Sequence, residues 1–210
     1  MSSNNNHKGT FITLEGPEGA GKTTQLKLLS KFLQDEGIEH VITRDPGGTS
    51  LGKPIRRLLL NAESVVSPVA ELLLYEADRA QNVSEVIMPG LAEGKVVFCD
   101  RYVDSTIAYQ GFGRGIDLDL IEQLNNVASQ GLKPKCTILF DIESSAGLAR
   151  LHPSGHDRLE REALEFHQKV RNGYLELAKK DDTRWRVLDA SMPMHMVQEQ
   201  LRKFVMEALN

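Results

Sequence analysis

The chain has 210 residues, with 25 Lys plus Arg against 29 Asp plus Glu and a formal net charge of −4. That balance excludes sequence-independent binding to nucleic acid, which needs a basic surface to displace counterions. No run of about 18 apolar residues is present to cross a membrane as a helix, and Cys99 and Cys136 lie in apolar runs that suit small buried hydrophobes rather than a disulfide framework.

Residues 1–8 are polar and Asn/Ser-rich, which predicts a disordered extension ahead of a single domain at 9–210. A β-rich run at 10–14 leads into Gly16-Pro17-Glu18-Gly19-Ala20-Gly21-Lys22-Thr23, which matches G-x-x-x-x-G-K-[ST]. Leu26, Leu29 and Leu33 follow at helical spacing. The glycines let backbone N–H groups converge on an anion, the helix presents its positive end there, and Lys22 adds a mobile charge. The stretch Gly16 to Thr24 therefore reads as a nucleoside triphosphate site, with the Thr23 hydroxyl available to a magnesium ion.

A second β-rich run at 40–43 is followed by Arg44-Asp45-Pro46-Gly47-Gly48-Thr49, then a helix over 51–60 that carries Arg56. The next helix, 69–91, sets Tyr75 and Arg79 four residues apart on one face. A strand at 96–99 ends in Asp100-Arg101, and a short helix carries Ser105, Thr106, Tyr109 and Gln110. A helix over 118–128, a strand at 136–140, a helix beginning near Leu159, a strand at 185–188 and a last helix complete the pattern. Strands alternating with helices predict an α/β fold: five parallel strands covered on both faces, with ligands at the strands' carboxyl ends.

Every polar cluster follows a strand, so one site can collect them. The guanine-reading Asn-Lys-x-Asp motif of switch proteins is absent. Asp100 is followed by Arg101 rather than by a second carboxylate that would orient a hydrolytic water, and an arginine fork suits a second anionic substrate.

These motifs, with the run from Asp100 to Gln110 and Asp157-Arg158-Leu159-Glu160, make the chain from Thr10 to Asn210 resemble the bacterial thymidylate kinases. The resemblance implies a phosphate-loop nucleoside monophosphate kinase fold with a short mobile lid at about 150–160, and transfer of a phosphoryl group from ATP to dTMP. It implies Mg2+ held by Thr23 with Asp100 in its outer sphere, and an acceptor phosphate fixed by Arg56 and Arg101. Glu18 would meet the sugar 3′-hydroxyl and organise the phosphate-binding arginine. Tyr75, where the family usually has Phe, would stack on the base, and Arg79 would donate to a base carbonyl. Ser105, Thr106, Tyr109 and Gln110 would line the nucleoside pocket, with Tyr109 near the sugar 2′ position.

Two positions depart from the family pattern. Asp45 stands where Glu is common, so its contact is expected to run through water. The lid has Arg150 and Arg158 at its ends, and Arg150 is the expected catalytic cation because Asp157 and Glu160 flank Arg158. The resemblance also implies a homodimer, with the helices at 69–91 and 118–128 as candidates for its interface, and the lack of a secretion signal or membrane span predicts a cytoplasmic location. The open alternatives are a kinase of another monophosphate and an ATP-hydrolysing regulatory protein.

Overall fold

The computed structural model describes residues 8–151 and 157–210; the expected extension up to residue 7 and the lid residues 152–156 lie outside them. Five parallel strands, β1 (Thr10–Glu15), β2 (His40–Arg44), β3 (Val96–Asp100), β4 (Cys136–Asp141) and β5 (Trp185–Asp189), form one sheet in the order β2-β3-β1-β4-β5. Each strand runs one residue beyond its apolar pattern, because backbone pairing continues through a polar final residue, as in Arg44↔Asp100 and Asp141↔Asp189. The order sets the site. β1 is central, so its loop opens at the middle of the sheet's carboxyl edge, and Leu14↔Asp100 puts the end of β3 directly beside it.

Alternation along the strands divides the core. Ile12, Leu14, Phe98, Ile138 and Phe140 face α1 (Lys22–Asp35) and α9 (Met194–Leu209), packing on Leu26, Leu29, Leu33, Val197, Leu201 and Val205. Leu139 points the other way, into a cluster with Tyr109 and with Phe166, Val170 and Tyr174 of α8 (Leu164–Lys180). Phe11, Val97 and Cys99 pack with Val83, Ile87 and Tyr102 on that same side. Cys99 and Cys136 are free and buried, as their apolar settings predict.

On this second face α2 (Gly52–Leu60) packs on α3 (Pro68–Asn82), which packs on α6 (Leu118–Ser129). Ser67 caps α3 by accepting from the Ala70 N–H, with Pro68 at the first turn. The helix expected over 69–91 continues from α3 through a π-helical stretch, Val83–Ile87, into α4 (Met88–Ala92). The short α5 (Val103–Thr106) likewise runs into a π-helical stretch, Ile107–Gly113, which carries Tyr109 and Gln110. Such wide turns recur at functional sites because they re-aim side chains.

The helix expected to start near Leu159 starts instead at Leu164. Asp157 Oδ1 accepts the backbone N–H groups of both Leu159 and Glu160, closing one isolated turn, and the extended Ala163 separates it from α8. α7 (Ser144–Ala149) lies under the phosphate loop, where Gly19 (φ 69°) and Gly147 meet backbone to backbone with no room for a Cβ on either.

Candidate active site

The phosphate loop turns on Gly16, Gly19 and Gly21, all at positive φ, and α1 begins at Lys22. Its N–H groups and the helix dipole face a cavity of roughly 260 Å³ lined by Glu18 to Thr24, Arg44, Asp45, Arg56, Asp100, Arg101 and Leu151. Lys22 folds back so that Nζ donates to Gly16 O at 2.8 Å and Pro17 O at 3.1 Å. Burial and the nearby Arg101 bring its ammonium down to about 8. An arriving phosphate would supply the missing counter-charge and restore the ordinary value.

Thr23 Oγ1 donates to Asp100 Oδ2 at 3.2 Å across the gap between α1 and β3. A hydroxyl and a carboxylate side by side in an open anion cavity fit a hard, oxygen-loving cation that takes its remaining ligands from phosphate and water.

Arg101 has a left-handed backbone, φ 71°, unusual for a residue with a Cβ. Its Nη2 donates to Glu18 Oε1 at 2.6 Å, and Nη1 reaches Gly16 O at 3.0 Å, the Tyr174 hydroxyl at 3.1 Å and Ser105 Oγ at 3.4 Å. Nε has no acceptor among the described residues, and Arg101 lines the cavity. Glu18 Oε1 also accepts the Tyr109 hydroxyl at 2.8 Å. Burial alone would raise the Glu18 carboxyl, but Arg101, Lys22 and Tyr109 outweigh it and hold it below the usual range. The apparent conflict of an acid in a phosphate loop is thereby resolved within the protein. Arg56, whose Nη1 donates to Pro46 O at 2.9 Å, lines the same cavity.

A narrow slot of roughly 20 Å³ adjoins it, lined by Glu18, Asp45, Tyr75, Arg79, Arg101, Ser105, Thr106, Tyr109, Gln110 and Leu159. All of these except Leu159 are site residues expected from separate parts of the sequence, but a nucleobase enters only if the slot opens. Arg79 differs from expectation. Its five N–H donors go to Asp45, Glu76, Asn125, Tyr102 O and Thr106 Oγ1, so none is left for a base carbonyl. Asp45 is buried and bonds directly to Arg79 Nε at 3.2 Å and Asn82 Nδ2 at 2.5 Å. Burial, opposed by Arg79 and reinforced by Asp78, raises its carboxyl to about 7. Gln110 Nε2 donates to Glu71 at 2.7 Å, which leaves its carbonyl oxygen without a protein donor among the described residues.

The two lid arginines lie apart from the phosphate cavity. Arg150 Nη1 donates to Ala190 O at 2.9 Å, in a cavity of roughly 410 Å³ that shares Gly19, Ala20, Gly21 and Thr24 with the phosphate cavity and extends to Met192, Met194 and Val197. Arg158 pairs with Glu71 at 2.6 Å and donates to Leu59 O at 2.9 Å; Asp157, expected to pair with it, spends its carboxylate on capping the next turn.

Sequence reasoning missed three buried groups. Glu15, at the end of β1, accepts from Tyr102 N–H, Ser105 Oγ and Tyr174, and burial together with the Asp104 charge raises it to about 7. Glu71 gathers Gln110, Arg114 and Arg158. Tyr174 reads in the sequence as plain helical core. The first offers a recoverable signal, a carboxylate closing an apolar strand; the others depend on partners far away in the chain.

The thymidylate kinase family model matches residues 14–201. The chain belongs to the thymidylate kinase family. A thymidylate kinase of Carboxydothermus hydrogenoformans is 51% identical over 97% of this chain and 99% of its own length. One of Gloeobacter violaceus is 49% identical over 95% and 96%. The crystal structure of the thymidylate kinase from Ehrlichia chaffeensis superposes with a TM-score of 0.78 at 35% identity, covering 94% of this chain and 98% of that one. Family membership therefore agrees with a parallel sheet whose phosphate loop and arginine-bearing β3 end open onto one cavity.

Proposed function

We propose that this protein transfers the γ-phosphoryl group of ATP to dTMP, giving ADP and dTDP. The observation that carries the reading is the single cavity lined by both the phosphate loop and Arg101, whose Nε has no acceptor among the described residues. Two anionic groups brought there from opposite sides meet in line. An oxygen of the acceptor phosphate attacks the γ-phosphorus while the bond to the β–γ bridging oxygen breaks, and the charge spread over the equatorial oxygens is met by positive groups rather than by a protein nucleophile. Lys22 and the loop N–H groups hold the donor; Arg101 and Arg56 hold the acceptor. Mg2+ would be held by Thr23 with Asp100 behind it, and it supplies neutralisation of the donor phosphates.

With Arg79 fully committed, reading of the base falls to Thr106, whose oxygen already accepts from Arg79, and to the Gln110 carbonyl. Arg79 then acts as the frame on which those groups sit. Arg150, which lines a cavity with the loop, is placed to contact the donor's nucleoside. No helix among the described residues is long and apolar enough to cross a membrane, and a cytoplasmic location suits a nucleotide kinase.

A homodimer is supported by exposed apolar residues on the two helices, Val69 and Leu73 of α3 at 56% and 51% and Val127 of α6 at 77%. Leu73→Glu is expected to give a monomer by light scattering.

The direct test offers dTMP, dCMP, dUMP, dGMP and dAMP in turn with ATP and Mg2+ and records ADP formation. dTMP should give the highest kcat/KM. Preference for another monophosphate, or ADP release independent of any acceptor, would overturn the assignment.

A further inference from the structure

Arg101 is the one cavity-lining arginine whose guanidinium is gripped from behind by a buried hydroxyl cluster. The Tyr174 hydroxyl lies 2.7 Å from Ser105 Oγ and 3.0 Å from Glu15 Oε2, and it receives Arg101 Nη1 at 3.1 Å. Its single hydrogen goes to the carboxylate or to the serine, so toward Arg101 it can only accept. Ser105 Oγ donates to the same Glu15 oxygen at 2.5 Å, and the other Glu15 oxygen takes the Tyr102 N–H at 2.8 Å. Tyr174 and Glu15 are wholly buried, so no water competes for these bonds. Tyr174 also packs edge-on against Tyr109 at 6.3 Å, and Tyr109 in turn lies under the Arg101 guanidinium at 4.8 Å.

Three elements converge on that hydroxyl: the end of β1, the turn after β3, and α8. The arrangement fixes one edge of the guanidinium and leaves the Nε edge to the cavity. A fork free to rotate about its own long chain would hold a phosphate in many orientations, of which few are in line for attack. We infer that Tyr174 is a positioning residue for Arg101: held by Glu15 and Ser105, its hydroxyl fixes the Nη1 edge so that the Nε edge meets the acceptor phosphate. The inference rests on the reading that Arg101 holds that phosphate, and it assigns to α8, the helix following the lid, a direct mechanical link to the acceptor site.

The test is a double-mutant cycle. Tyr174→Phe keeps the ring and its contacts and removes only the hydroxyl. It should lower kcat/KM for dTMP about tenfold or more while KM for ATP stays within about twofold, since the donor side does not use this link. Arg101→Lys, which keeps the charge and loses the fork, sets the background; there, Tyr174→Phe should cost less than about twofold further. Equal losses in both backgrounds, a parallel change in KM for ATP, or a wild-type rate in the Tyr174→Phe protein overturns the proposal. If a thermal melt shows that Tyr174→Phe does not fold, Ser105→Ala enters the same cycle with the same expected non-additivity. Should wild-type enzyme prefer another monophosphate, the substrate assignment falls and the cycle is run with that acceptor; should it phosphorylate none, both fall at the first assay.

Discussion

Arg158 and Glu71 form an ion pair of 2.6 Å between the turn that precedes α8 and the first turn of α3, with side chains 11% and 0% exposed. Arg114 Nη2 meets the same Glu71 oxygen at 3.2 Å, and Gln110 binds the other. One buried carboxylate thus holds the far end of the lid, the wall of the base slot and α3 together. Glu71→Ala should destabilise the fold by about 3–5 kcal/mol, because it leaves buried cations without their anion. Arg158→Ala should cost less, since Arg114 remains. Burial alone would raise the Glu71 carboxyl, but Arg114, Gln110 and Arg158 bring it below the usual carboxylate range. Its stabilisation is therefore present above that range and lost as pH falls through the lowered value. Denaturant melts from pH 7 down to about 3 should show that loss in the wild type and a flatter profile in Glu71→Gln.

Lys22→Ala should leave the fold intact and lower kcat by about 10²–10³, the scale of a lost preorganised charge at a transition state. The wild-type protein offers a second reading of the same residue. Its free ammonium titrates at about 8, and phosphate favours the charged form, so ATP affinity should be flat below that pH and weaken as pH rises above it. Calorimetry across pH 6 to 9.5 checks the slope; persistence of that slope in the Lys22→Ala protein would assign it to another group.

Gln110 turns its amide nitrogen to Glu71, so toward a base it presents an acceptor. Thymine carries an N–H at ring position 3, whereas cytosine carries a lone pair. Gln110→Ala should therefore narrow the preference for dTMP over dCMP by about 1–3 kcal/mol, or roughly five- to 150-fold in the ratio of kcat/KM values. A ratio unchanged by the substitution would return the reading of the base to Thr106 alone.

Arg150 is bonded to Ala190 O and lines a cavity with Gly19, Ala20, Gly21 and Thr24 of the phosphate loop that does not include Arg101. Arg150→Ala should raise KM for ATP about tenfold, equivalent to ~1.4 kcal/mol, and leave kcat within about twofold. A large fall in kcat with unchanged KM would mean that this arginine swings onto the transferring phosphoryl group, as the sequence pattern alone suggests.

The five strands and the residues at their carboxyl ends were legible because period and composition are local properties, and the phosphate loop carries its own strand and helix as context. Strand order was not, since nothing within β3 says that it lies between β1 and β2. The late start of α8 has a local reason: Asp157 caps a single turn, Arg158 is drawn to Glu71, and the chain re-extends at Ala163. The family resemblance gave Arg79 a donor role toward the base. Only the assembled site shows that Asp45, Glu76, Asn125, Tyr102 and Thr106, from four other places in the chain and one neighbouring turn, use all its hydrogens.

A methyl group on Gly19 would press on the main chain of Gly147, and one on Gly147 would press on the carbonyl of Glu18 in the loop. The loop that cradles phosphate is therefore seated on α7 like a casting on its mould. A substitution at Gly147, a residue outside every cavity described above, would surface in assays as weakened nucleotide binding. Screening variants by their distance from ATP would overlook it, and the defect would not be repaired by restoring charge at the loop. Only relief of the backbone collision, by a compensating shift of α7, would recover it.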